Sequence, residues 1–299
     1  MRKVVVLFFL FAAGIMHAQF SINNPAPATV DQIVNNILVG AGVVPTNITF
    51  NGLPANAVND QVGFWKTNLN PTNTGFDPLE QGLVLTTGKV NIALGPNNLP
   101  NAASVPSKPY VGDADLSKLS GKSINNVAIL EFDFVATGLE LNFDFVFGSE
   151  EYPEYVDTNF NDAFGFFLSG PGISDVYSNG AKNIALIPGT NTGVSINTVN
   201  KIANSAYYVG NDNGVDLQYD GFTKVMRASS TLECGGTYHI KLAIGQGGTN
   251  EWDSGVLIKN FTVPPMELIG NYGLSDNLTV CYGETITISS GITVAGAVF

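Results

Sequence analysis

The sequence predicts an all-β fold: an antiparallel β-sandwich, jelly-roll-like, with one amphipathic helix before it and the start of a second β domain behind it. Three observations carry this expectation. Apolar and polar residues alternate with period two in the middle of the chain, short apolar runs broken by Gly, Asn and Pro fill most of the rest, and a helical period occurs once.

Met1, Arg2 and Lys3 open the chain with positive charge, residues 4–16 are apolar, and Ala18 offers a small residue for cleavage, so residues 1–18 read as a signal peptide. The run falls short of the ~20 apolar residues of a spanning helix. No later segment is long and apolar enough to span, which leaves the mature chain without a membrane-spanning segment. Thr29 then stands as a helix cap with Gln32 three residues on, and Val30, Ile33, Val34, Ile37 and Leu38 share one face before Gly40 stops the run. After Gly40 no comparable helical period follows.

From residues 46–50 onward the signal is β. In 139–147 every odd position is apolar, with Glu140, Asn142 and Asp144 between, the pattern of a strand with one face in a core. Residues 127–135 behave alike: Ala128, Leu130, Phe132 and Phe134 share one face, Glu131 and Asp133 the other. Only Gly138 and its neighbours separate the two runs, so the expectation is an antiparallel hairpin. Further strands are expected over 163–168, 183–187, 221–228, 237–244 and 255–263. Pro264 and Pro265 end the first domain, residues 19–263, because paired prolines cannot continue a sheet interior. Residues 264–299 read as a linker and the truncated start of a second β domain, too short to bury a core of its own.

Composition removes several function classes. Charged residues are 13% of the chain, so solubility rests on Asn, Thr, Ser and Gly, and the net charge of −12 disfavours nucleic acid or an anionic membrane as partner. Two cysteines and two histidines, one of them in the leader, exclude a disulfide scaffold, a zinc finger and a multi-histidine metal centre. Cys234 and Cys281 lie on either side of the proline boundary. A bridge between them needs Cα atoms within ~7 Å, and pairing of Cys281 beyond the chain's end would leave Cys234 free.

The chemistry-bearing segment is 147–162, where Glu150, Glu151, Glu154, Asp157 and Asp162 crowd between two expected strands. Such carboxylates repel one another unless a cation or hydrogen-bond donors compensate. Ca²⁺ suits a flexible loop of hard oxygens, although the spacing is not that of an EF-hand. The plainer alternative, which the residues alone favour, is a solvated acidic loop with Asn161 and Asp162 in turn hydrogen bonds. A glycosidase pair of carboxylates is a further reading, but needs a separation the sequence does not give. Nucleophilic catalysis fares worse. His239 sits on the polar face of its strand with Thr237 and Lys241, and Phe147 and Glu151 occupy the glycine positions of a Gly-x-Ser-x-Gly elbow around Ser149.

The runs FGSEEYPEYV, FNDAFGFFLSGPG, NIALIPGTNTGVSINTVN, LQYDGFTKVMRAS and TYHIKLAIGQGGTNEWDSGV resemble, in order, the choice-of-anchor L domain of secreted bacterial proteins, from about residue 29 to 261. The resemblance implies a modular secreted or cell-surface protein. Such proteins are often followed by Ig-like or PKD-like repeats and a type IX secretion signal or another anchor. Where they commonly read A-D-A-G-D, this chain has Gly245, Gln246, Gly247, Gly248 and Thr249, so Gln246 and Thr249 replace two acidic residues. Asp253 and Ser254 keep the D-S pair.

Together these readings give a secreted or cell-surface, non-catalytic binding or adhesion module for an extracellular protein or glycan. Ca²⁺, if bound, would be held by Glu150, Glu151, Asp157, Asp162 and Asp253. The runner-up is a carbohydrate-binding or carbohydrate-acting protein presenting Trp65, Tyr152, Tyr155 and Trp252 as stacking faces. A purely structural spacer is the third reading.

Overall fold

The structure is a computed structural model that describes residues 20–23, 28–67, 81–248 and 250–265. The leader and the expected second domain lie outside the described residues. The strands are β1 (Phe20–Asn23), β2 (Thr46–Phe50), β3 (Leu53–Pro54), β4 (Val62–Thr67), β5 (Gln81–Thr86), β6 (Ile124–Val135) and β7 (Glu140–Ser149). After them come β8 (Ala163–Ser169), β9 (Lys182–Asn183), β10 (Tyr208–Gly210), β11 (Gly221–Thr223), β12 (Met226–Thr231), β13 (Thr237–Gly247) and β14 (Ser254–Thr262). They form two antiparallel sheets: β1-β4-β5-β14-β7-β11-β10, with β12 also on β7, and β3-β2-β6-β13-β8-β9. The sandwich expected from the alternation is the one observed.

The alternating faces meet between the sheets. Phe132 and Phe134 of β6, Phe164 and Phe166 of β8 and Ile240, Leu242 and Ile244 of β13 face Phe143, Phe145 and Phe147 of β7 and Val256, Ile258 and Phe261 of β14 in one buried cluster. Phe261 reaches across the sandwich, its ring centroid 5.2 Å from Phe132, 5.6 Å from Phe134 and 5.1 Å from Phe143. Each such ring taken from water contributes about 1.5–3 kcal/mol.

One expectation fails in an informative way. β6 and β7 are not a hairpin: β6 pairs with β2 and β13, while β7 pairs with β14, β11 and β12. Residues 136–139 carry the chain from one sheet to the other. Their polar groups are satisfied there, since the Ala136 N–H donates to Gly236, and the Thr137 hydroxyl lies 3.0 Å from both the Gly42 and Val263 carbonyls. The two apolar faces therefore oppose each other across the core.

The N-terminal helix α1 (Val30–Ile33) is as expected at its start, where the Gln32 side chain accepts from the Thr29 N–H at 3.0 Å. It continues as a π-helical turn, Val34–Leu38, and buries Val30, Ile33, Val34 and Leu38 in the main core. A second helix, α2 (Ala114–Ser120), corrects the expectation of a single one. Asp113 caps it by accepting from the Leu116 N–H, Gly121 ends it in the left-handed region, and Leu116 packs with Ile124, Val127, Ile129 and Phe167 on the outer face of the second sheet. The expected strand over 221–228 is broken into β11 and β12, and that over 183–187 keeps only β9.

The abundance of Asn has a backbone reason besides solubility. Among the described residues, seven of the nine non-glycine residues with positive φ are Asn, a side chain that tolerates left-handed turns. Cys234 is disulfide-bonded, so it is not free; Cys281 lies outside the described residues.

Candidate functional site

The acidic segment follows β7 directly, and its geometry grows from the ladder between β7 and β14. Gly148 pairs with Gly255 and Ser149 with Ser254. Phe147 and Val256 point into the main core, whereas a Cβ on Gly148 or Gly255 would strike the ring or hydroxyl of Tyr219 on the outer face, at 2.5 and 2.2 Å. Ser149 and Ser254 thus share the inner side, with their hydroxyl oxygens 2.8 Å apart.

Two of the predicted residues gather there. The Glu151 N–H donates to the Ser149 hydroxyl, and Glu151 Oε2 accepts from the Asp162 N–H at 3.2 Å. Asp162 accepts from the Gly247 N–H at 2.8 Å and from the Ser254 hydroxyl at 2.6 Å. Two others are held by the segment 102–104. Glu150 Oε2 accepts from the Ala102 N–H at 3.2 Å, and Asp253 Oδ2 accepts from the Ser104 hydroxyl at 2.8 Å. Gly88 makes room for Asp253, since a Cβ there would lie 2.0 Å from Oδ2. Asp157 does not join either group: it is exposed, in the left-handed region at φ 60°, with its N–H on Asn197 Oδ1.

The solvated acidic loop is overturned for these four. Glu150, Glu151, Asp162 and Asp253 are 1%, 0%, 0% and 1% exposed. Asn161 and Asp162 bond to Ser120, Gly247 and Ser254, remote in sequence, and not within a turn. Loss of water raises all four acids. Glu150 is pushed up to about 8 by burial, against the donors Ala102 and Gln218, with the negative charges of Asp220 and Asp253 adding to the rise. Burial takes Asp253 to about 7 against the pull of Ser104. Glu151 and Asp162, in contact, are both raised by burial, and the charge of Glu151 raises Asp162 further. Among the described residues no lysine or arginine is one of the groups acting on them. Among the described residues Glu150 Oε1 and Glu151 Oε1 are buried without a hydrogen-bond partner, as is the hydroxyl of Tyr219, which burial holds in its neutral form with the charges of Asp253 and Glu150 adding to the effect. Among the described residues no group of three or more His, Cys, Asp or Glu could hold a metal ion.

Gln246, which replaces an acidic residue of the resembling proteins, serves as a strut. Its amide nitrogen donates to the Glu251 and Trp252 carbonyls, and its carbonyl oxygen accepts from Asn126 at 2.7 Å, so that oxygen is occupied. Thr249 lies outside the described residues. Trp252 has φ 49°, a left-handed conformation that a bulky side chain rarely adopts, immediately before Asp253.

The four aromatics proposed as stacking faces divide. Trp65 and Tyr152 are completely buried. Tyr155 and Trp252 are half-buried and stack on each other at 4.1 Å, with Phe160 against both. His239 lies, as expected, on the polar face of β13, between Asp133 at 2.7 Å and Glu131 at 3.3 Å; its hydrogen bonds to these carboxylates, Glu131 foremost, raise its pKa despite burial. Sequence reasoning missed Gly88, Ala102, Ser104 and Tyr219. Nothing local marks them, because their part depends on a chain crossing over the β7 and β14 ends.

A family model, that of the choice-of-anchor L domain, matches residues 21–262. No curated protein matches the chain. Among the described residues no helix is long and apolar enough to cross a membrane.

Proposed function

The chain belongs to the choice-of-anchor L domain family, a surface-anchored or secreted module, and from that premise we propose that it is a non-catalytic binding or adhesion module organised by Ca²⁺ at one end of its sandwich. The observation that carries the ion is the burial of carboxylates without a basic partner. Glu151 and Asp162 lie in contact beside the hydroxyls of Ser149 and Ser254. Two carboxylates and two neutral oxygens make a modest calcium site, one that backbone carbonyls or water complete. Glu150 and Asp253 supply further negative charge nearby, and Asp157 has no part in it. The loops around this end, with the Tyr155–Trp252 stack among them, form the surface offered to an extracellular protein or glycan.

The experiment is thermal unfolding of residues 19–299 with Ca²⁺ and with excess chelator. A ligand at 100 times its Kd that binds only the folded state adds about 2.7 kcal/mol. The expected result is a higher midpoint with Ca²⁺, reduced or abolished in Asp162→Asn. An equal midpoint in both conditions would mean that protons, and not a cation, compensate the buried acids. Binding is tested separately, by screening the immobilised module against glycans and surface proteins; loss of a captured ligand in Trp252→Ala would support the loop surface, and retention would overturn it.

A further inference from the structure

Lys182 and Asn183 of β9, the last strand of the second sheet, line a cavity of about 460 Å³ together with Asp175, Tyr177 and Asn191. Asn183 stands opposite Phe167 of β8, whose ring packs with Leu116 of α2, so the cavity lies on the outer face of that sheet. The segments that bound it are fixed by hydrogen bonds. The turn 175–181 is closed by the Asp175 N–H on Gly180 and the Tyr177 N–H on Ala181. It is tied to α2 by Lys118 Nζ on the Val176 carbonyl at 2.7 Å and by Ser178 on Asp115 at 2.8 Å. In the segment 186–193 the Ile187 N–H donates to Thr192, and Leu186 bridges to Gly193.

Asn183 supplies the demand for an occupant. Its Oδ1 accepts from the Phe166 and Ala185 N–H groups, both at 3.0 Å. Its Nδ2 is buried and has no hydrogen-bond partner among the described residues, in a side chain of a residue 8% exposed. Gly193 keeps space beside that amide, since a Cβ there would lie 3.1 Å from Nδ2. A buried donor left without an acceptor is costly, and the cavity is far larger than the ~30 Å³ one water takes. The charges select among larger occupants. Lys182 disfavours a cation, while Asp175, in a chain of net charge −12, disfavours an anion. A neutral molecule whose hydroxyls both donate and accept suits both, and gives Asn183 its acceptor.

We infer that this cavity is a binding site for a neutral sugar residue, with Asn183 Nδ2 donating to one of its oxygens and Asp175 accepting from a hydroxyl. None of the buried acids at the β7 and β14 ends lines it. The site goes beyond the proposed function and stands whether or not Ca²⁺ binds.

The test is saturation-transfer NMR of the exported chain with glucose, galactose, mannose and N-acetylglucosamine at millimolar concentration. At least one is expected to receive saturation, with glucuronate and glucosamine receiving less. Asn183→Asp keeps the oxygen that accepts from Phe166 and Ala185 and replaces the donor nitrogen. Asp175→Ala changes an exposed residue and so is compatible with the fold. Each should weaken binding of that sugar at least tenfold, while Trp252→Ala leaves it unchanged. No transfer to any of the four, stronger transfer to a charged sugar, or undiminished binding in both cavity variants would overturn the site. A loss confined to Trp252→Ala would move the sugar to the other loop surface and overturn it as well.

Discussion

Replacing Lys241 by Met should destabilise the protein measurably through the outer face of the second sheet. Lys241 reaches from β13 to two carboxylates, Nζ lying 2.8 Å from Asp113 and 2.5 Å from Asp115, with its side chain 11% exposed. Although burial alone would push the ammonium down, the two aspartates hold it above the usual lysine value, and Lys241 with Ser178 holds Asp115 below the usual carboxylate range against burial. Methionine keeps the stem packed near Phe167 and strands both carboxylates. Breaking a buried pair this way costs about 3–5 kcal/mol. Here Asp113 keeps the Leu116 N–H and Asp115 keeps the Ser178 N–H and hydroxyl, so the lower end, about 3 kcal/mol, is expected. For a domain of this size that is a fall of roughly 6–12 °C in Tm. The pH dependence supplies the control. A carboxyl depressed in the folded state adds stability above its unfolded pKa that is lost as pH falls through the folded value, so the native protein weakens on acidification. Once stranded, the Asp115 carboxyl prefers the proton, and the deficit of Lys241→Met should shrink toward pH 4. Urea titrations of both proteins between pH 4 and 7 measure this. A loss under about 1 kcal/mol at pH 7, or a deficit independent of pH, would refute the claim that the pair is a desolvated one.

Phe261→Ala removes the ring that joins both sheets and should cost about 3–5 kcal/mol, read as a lower urea midpoint with an unchanged slope. Gly88→Ala drives a methyl into Asp253 and should destabilise by about 1–3 kcal/mol, while Asp253→Ala in the same background should recover part of that loss. His239 has a raised pKa in the folded state, so its contribution is fully present below the unfolded value near 6.5 and is lost as pH rises through the folded one. Proton NMR titration of its ring should show the raised value in the native protein and its return toward normal in Glu131→Gln with Asp133→Asn.

How far the sequence reaches is clearest at β6 and β7. Alternation assigns Phe132, Phe134, Phe143 and Phe145 to buried faces correctly, because a face is a local property. Whether two such strands lie side by side or across a core from each other leaves the same alternation, and only the partners of residues 136–139 decide it. Helix α2 escapes notice because Leu116 and Leu119 give one turn of apolar period, and its docking on the outer face of a sheet is tertiary. At the site, Glu150, Glu151, Asp162 and Asp253 were legible as a charged set. Their burial was not, since it comes from the 102–104 crossing and from Ser149 and Ser254 meeting across a ladder 105 residues apart in sequence. Asp157 has the same neighbours in sequence yet faces water, because the chain turns outward there.

The outermost strands have a bearing on how such a module survives export. The second sheet ends in β3 and β9, two residues each, with Pro54 closing β3; the first ends in β1 and β10, of four and three residues, and in β12, six residues long, whose partner among the described strands is β7. A chain that refolds in a crowded space outside its cytoplasm meets many copies of itself with unpaired backbone. Stunted margins at β1, β3, β9 and β10 and a proline give those copies little ladder to extend, which leaves β12 as the longest margin open to strand-by-strand joining.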